Sequence, residues 1–229
     1  MKPLRLKAEV AKREYVKGVQ SDCVAKVQVD TGVYHLDQPY DYSVPTGMLS
    51  QVKTGIRVQV PFGGREVEGL ILSVIEGSEI GGLKPLTKIL SPISVASAES
   101  FNLMAAVATA WAANPYDLIR SAIPPRVASV EKERWEEQIS PSNQSKERRE
   151  FLQLPSHGNP FEALSGLIAK RRDKGSILII LPDSRSISRL YGLNPEAVIL
   201  DSSLDRTQRY RNYLQAKYSL NNLVIGTRS

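Results

Sequence analysis

Two short segments carry side chains and backbone suited to holding the end of a nucleic-acid strand. The first is Tyr40-Asp41-Tyr42-Ser43-Val44 and the second is Pro61-Phe62-Gly63-Gly64. An aromatic ring stacks on any base, a neighbouring carboxylate accepts from a sugar hydroxyl, and glycine lets a ligand approach the main chain. Each residue also has an ordinary structural use. Tyr40 and Tyr42 can be strand aromatics, Asp41 can satisfy a turn, and Gly63 can turn a hairpin.

The elements that must position these groups read as strands. In residues 40–44 the alternation puts Tyr40, Tyr42 and Val44 on one face, with Asp41 and Ser43 on the other. In residues 56–60 Ile56, Val58 and Val60 form the inner set, leaving Arg57 and Gln59 outside. Further strands are expected around Val27 and Val29, over 67–75 and over 86–90, punctuated by Pro39, Pro45, Gly47 and Pro61. Short strands at this spacing imply a small barrel or a curled sheet. The period then changes. Phe101, Met104, Val107, Ala108 and Trp111 recur at helical intervals behind a Ser97 N-cap, with Glu99 in the first turn. This stripe, Trp111 included, reads as core, on a helix covering one face of the barrel.

The ordered set resembles the N-terminal domain of the bacterial replication-restart helicase family PriA, the primosomal protein N-prime family. There an aromatic-Asp-Tyr-x-x-Pro run, a Pro-Phe-Gly turn and a downstream Leu-Lys shape a pocket for the 3′ end of a nascent strand. The resemblance implies that Tyr40, Asp41, Gly63 and Lys84, the last in Gly82-Leu83-Lys84-Pro85, form the DNA 3′-end site. It implies Tyr40 stacked on the last base, Asp41 and the backbone near Gly63 at the terminal hydroxyl or sugar, and Lys84 at a phosphate.

Composition narrows the classes. With 229 residues and 41% apolar content, one large or two modest domains can form packed cores. The net charge of +6 is compatible with nucleic acid without requiring it. A single cysteine, Cys23, forms no disulfide within the chain, supplies no cysteine cluster for a structural zinc, and fits a cytoplasmic location. No apolar run approaches the length of a membrane span, and the basic start lacks a secretory apolar region.

The expected organisation is α+β followed by α/β. Residues 1–22 form a basic tail, 23–126 the 3′ DNA-binding domain, 127–157 a polar charged linker, and 158–229 a partial parallel-sheet, helicase-lobe-like segment. Strand and helix alternate in that last segment, with apolar runs at 176–181, 197–200 and 223–225. The first run reads as a strand buried on both faces. Residues 178–183 and Gly226-Thr227-Arg228-Ser229 also resemble the family's first motor lobe. Its phosphate loop, Gly-x-x-x-x-Gly-Lys-Ser/Thr, has no counterpart. The corresponding stretch, 154–161, has one glycine and a proline at Pro160. The linker is too short and polar for the family's winged-helix domain, and the end at Ser229 reads as a truncated product.

The resulting expectation is a DNA-binding replication-restart protein that recognises the nascent 3′ end at stalled forks without an ATPase of its own. No catalytic residue, cofactor or metal is assigned. Its partners would be forked or single-stranded DNA with a 3′ end, with other primosome or single-strand-binding proteins, and no membrane. Two alternatives stay open: a fragment of an ATP-dependent 3′-to-5′ helicase active only when complete, and a primosome interaction module.

Overall fold

Alternation of apolar and polar residues over 23–29, 39–43 and 57–76 lets the chain bury most of its valines and isoleucines on one face of an antiparallel sheet. The computed structural model describes residues 23–76, 82–136, 149, 151, 153, 158–219 and 222–228. The expected 1–22 tail and most of 137–157 lie outside them. The chain forms two compact units, residues 1–118 and 119–229.

In the first unit, β1 (Cys23–Val29), β2 (Pro39–Ser43), β3 (Arg57–Phe62), β4 (Arg65–Glu76) and β5 (Lys88–Ile89) make a five-stranded sheet in the order β2-β1-β4-β3-β5. All four pairings are antiparallel. The inner face buries Val27, Val29, Tyr42, Val44, Ile56, Val58 and Val60, as expected, together with Ala25 and Ile71. The strand ladder is open. Its two margins meet at an isolated bridge between Ser43 and Pro85, where the Ser43 amide donates to the Lys84 carbonyl and the Leu86 amide to the Ser43 carbonyl, both at 3.0 Å. Arg57, expected outside, is instead buried. The β3–β4 register carries its guanidinium to Glu68, with Nη1 2.9 Å from Oε1.

Helix α1 (Ala98–Trp111) starts where expected, the Ser97 hydroxyl accepting from the Ser100 amide at 3.3 Å. The Glu99 carboxyl is held below its ordinary value, first by a backbone N–H at this helix start and then by Ser97. Only Phe101 and Ala108 are buried on α1, and Trp111 is 81% exposed. The core expectation for Trp111 is thus overturned. The helix breaks at Ala112 in a left-handed conformation (φ 50°), one residue after Trp111, and the buried stripe ends a turn earlier. Helix α2 (Pro115–Ala122) follows, opening on a proline where the missing N–H costs nothing.

In the second unit, α3 (Ala128–Glu131), α4 (Pro160–Arg171), β6 (Ile177–Ile180), α5 (Ser184–Leu193), β7 (Val198–Leu200), α6 (Arg206–Tyr218) and β8 (Leu223–Gly226) alternate, and the three strands pair in parallel in the order β6-β8-β7. One face of the sheet packs Ile177, Ile179, Leu223 and Ile225 into a core with Ile168 of α4 and Ile187 and Leu190 of α5. The strand at 177–180 is not buried on both faces: Leu178 is 66% and Ile180 58% exposed, because β6 is a sheet margin covered on one side only. Within 127–136, expected in the linker, Val130 and Glu131 are buried while most of their neighbours are exposed. Val130 is fully buried, the Tyr210 hydroxyl donates to Glu131 Oε1 at 2.7 Å, and Arg126 Nε donates to Oε2 at 2.7 Å. Their charge density serves ion pairs, such as Arg211 with Glu133 at 2.8 Å, which holds the Glu133 carboxyl below its ordinary value.

Candidate nucleic-acid interface

The site is built on β2, the marginal strand of the first sheet. Tyr42 points into the core, 3% exposed, and donates from its hydroxyl to the Pro61 carbonyl at 3.4 Å. Burial, with smaller contributions from Tyr40 and Glu66, pushes that phenol up to about 12, so the core holds it neutral. Tyr40 lies on the same face at the rim. Its half-buried ring meets Phe62 edge-on, with centroids 4.9 Å apart at 65°, and its hydroxyl donates to the Leu36 carbonyl at 3.0 Å. The ring is therefore fixed in position while part of it remains in solvent.

Asp41 is exposed on the opposite face of β2. Its Cα partner across the β1–β2 ladder is Lys26, which places a cation beside this carboxylate. Lys26 could be found only by register, and a reading of short motifs passes over it. Because Tyr40 and Asp41 lie on opposite faces, one ligand reaches both only by lying over the strand's open margin.

Gly63 and Gly64 form the two-residue turn between β3 and β4, with φ of +56° and +79°, and Phe62 pairs with Arg65 across it. Both glycines in the left-handed region define the turn that matches strand twist, which gives Gly63 a structural reason to be glycine. The space where its side chain would stand is open, with no atom within 4 Å, so its backbone is accessible. Phe62 links this turn directly to the Tyr40 ring. Lys84 is exposed, and its carbonyl accepts from the Ser43 amide, two residues beyond Asp41. The four expected residues thus collect around one strand, Tyr40 and Gly63 through Phe62, and Asp41 and Lys84 through Ser43.

In the second unit, Asp183, Ser184, Asp201, Ser202, Thr227 and Arg228 line a cleft at the carboxyl ends of the three parallel strands. Asp201 is buried and accepts from Ser203 Oγ at 2.8 Å and Thr227 Oγ1 at 3.4 Å. The Ser203 bond does most to hold its carboxyl below the ordinary range, helped by Ser184, the Ser202 amide and Thr227. Sequence reading found Thr227 and Arg228 by motif and missed Asp201, which only the parallel topology brings to them. Asp183 caps α5, accepting from the Ser186 amide at 2.8 Å. At the start of α4, the Asn159 side chain accepts from the Phe161 amide at 3.0 Å and Pro160 has no N–H to offer. Among the described residues no cluster of three or more His, Cys, Asp or Glu could hold a metal ion. Nor is any described helix long and apolar enough to cross a membrane.

Residues 26–124 match the family of the PriA 3′DNA-binding domain, and all four candidate residues fall inside that span. The chain is also 32% identical over 227 residues to the probable replication restart protein PriA of Mycobacterium tuberculosis (strain ATCC 25618 / H37Rv), a match covering 86% of this chain and 35% of that protein. The chain belongs to the PriA replication-restart family. A PriA relative from Mycobacterium leprae (strain TN) is 27% identical over 230 residues, again 86% of this chain and 35% of the relative. The replication restart protein PriA of Bacillus subtilis (strain 168) is 41% identical over 58 residues, 25% of this chain and 7% of its own length. The chain spans about a third of the length of the mycobacterial PriA proteins it matches. The similarity runs beyond the DNA-binding domain into the parallel-sheet unit, since 86% coverage exceeds the span of that domain.

Proposed function

We propose that the first unit holds the 3′ end of the nascent strand at a stalled replication fork and that this chain contributes binding without ATP hydrolysis of its own. Tyr40 stacks on the terminal base, Asp41 accepts from the terminal hydroxyl or sugar, the Gly63 backbone lets the strand end approach, and Lys84 meets a phosphate as a point charge. The observation that carries this reading is the fixed, partly exposed Tyr40 ring, held by Phe62 beside the open Gly63 turn. In this reading the sheet is a small barrel joined through the Ser43–Pro85 bridge, and residues 158–228 are part of a helicase-type lobe.

Asp41 gives the discriminating experiment. Against forks ending in a 3′-hydroxyl and forks ending in a 3′-phosphate, titrated at fixed salt, the unsubstituted chain should prefer the hydroxyl. A carboxylate gains from a donor and is repelled by a phosphate dianion. Asp41→Ala should cut that preference severalfold while its melting temperature stays put, because the side chain is exposed. An unchanged ratio in the folded variant would remove Asp41 from the site.

The lack of ATP hydrolysis is supported by the absent Gly-Lys-Ser/Thr and by the α4 start, where Asn159 and Pro160 stand in place of phosphate-binding amides. Phosphate release from ATP with forked DNA should equal the protein-free blank. Release that survives repurification and tracks the chain's concentration would refute it.

A further inference from the structure

The connection between β1 and β2 displays a second aromatic group that the site does not use. Tyr34 is 69% exposed and its neighbour Val33 39%. The segment that carries them is firmly tied down. Asp37 and Leu36 close a tight turn at Tyr34–Leu36, the Leu36 amide donating to the Val33 carbonyl at 3.0 Å and the Asp37 amide to the Tyr34 carbonyl at 3.1 Å. One Asp37 oxygen accepts from the buried Gln28 side chain, and the other accepts from the Tyr116 amide at 2.9 Å. The only carboxylate in residues 31–38 is thereby committed to protein donors. Thr31 Oγ1 braces the Val33 amide at 3.2 Å.

This turn is joined to the candidate site by one bond: the Leu36 carbonyl accepts the Tyr40 hydroxyl at 3.0 Å. Tyr34 is two residues from Leu36 on a 3-10 turn, which puts its Cα on the order of 10 Å from that hydroxyl. A large ring left in water on a rigid mount, carried by the segment that is hydrogen-bonded to a stacking tyrosine, has the features of a base platform. We propose that Tyr34 stacks on the base preceding the terminal one, so that this chain grips two unpaired nucleotides at a 3′ end. The inference rests on the end-binding reading of Tyr40.

The test uses the full chain and forks whose nascent strand leaves two unpaired 3′ nucleotides, with the penultimate position either intact or abasic. Titrations by fluorescence anisotropy at fixed salt should show Tyr34→Ala binding the intact fork about tenfold more weakly. The variant and the unsubstituted chain should bind the abasic fork equally, and Tyr34→Phe should follow the unsubstituted chain on both. The melting temperature of Tyr34→Ala should be unchanged. An equal loss on both forks, or no loss on the intact one, would overturn the proposal. If the unsubstituted chain fails to distinguish a 3′-hydroxyl from a 3′-phosphate, the end-binding reading falls and this inference falls with it. If that distinction holds while Tyr34→Ala binds normally, Tyr34 alone is excluded.

Discussion

Tyr40→Ala is expected to bind a fork with a free 3′ end about 5- to 150-fold more weakly at constant salt, the range spanned by about 1–3 kcal/mol of base–aromatic stacking. The slope of affinity against salt should not change, since no charge is removed. Tyr40→Phe is the informative partner. It keeps the ring, and with it the edge-on contact to Phe62, but cannot donate to the Leu36 carbonyl. Near-normal affinity in the Phe variant assigns the effect to stacking, whereas a loss matching that of alanine assigns it to the hydroxyl's grip on residues 31–38. Removing the ring also withdraws its contact with the core, so Tyr40→Ala should melt somewhat earlier. A lowered melting temperature with unaltered DNA affinity would reduce Tyr40 to a core residue.

Gly55→Ala should destabilise the first unit strongly for so small a change, costing about 2–5 kcal/mol. Gly55 has a φ of +83°, which alone costs a non-glycine residue about 1–2 kcal/mol. An added Cβ would also overlap the Ala96 carbonyl and stand 2.5 Å from Ser94 Oγ and 2.9 Å from the Ala96 amide nitrogen. Backbone cannot swing aside, and overpacking of this kind costs a further ~1–3 kcal/mol. The crowding follows from how tightly the chain passes here: the Gly55 amide donates to the Ile71 carbonyl at 2.7 Å and the Val95 amide to the Gly55 carbonyl at 2.9 Å. Gly64→Ala is the control, with a φ of +79° and nothing within 4 Å. It should lose only the conformational part. Chemical denaturation of the two variants measures the difference, and equal losses would show that the Ala96 contact contributes nothing.

The strands of the first unit were legible because their inner sets, Tyr42 with Val44 and Ile56 with Val58 and Val60, follow a period of two, and burial on one face enforces that period. The candidate site, Tyr40, Asp41, Gly63 and Lys84, was singled out on a different ground, the resemblance of their ordered motifs to a known family, and the strands only fix where those residues stand. What stayed hidden depends on partners distant in the chain. Arg57 reads as an outward polar residue until the β3–β4 pairing, which sets Leu70 opposite it, brings Glu68 within reach on the diagonal. Glu131 reads as linker charge, yet it accepts from Tyr210, 79 positions away. Trp111 follows the helical period faithfully and is still exposed, because periodicity identifies a face without showing where along the helix the underlying core stops. Leu178 and Ile180 fail in the mirror sense: a continuous apolar run cannot reveal that its strand has a covering layer on only one side.

The Asp37 bond to the Tyr116 amide also has a consequence in time. Its two ends lie 79 residues apart. At roughly 5–20 residues per second, a translating ribosome adds that interval over about 4–16 s. During those seconds β1 and β2 can pair locally, since their connection is short, but the segment carrying Tyr34 lacks one of its fastenings. Contacts that close such long intervals form late and slow the search for the native state. The grip on a DNA end would then be among the last parts of the first unit to mature as the nascent polypeptide emerges.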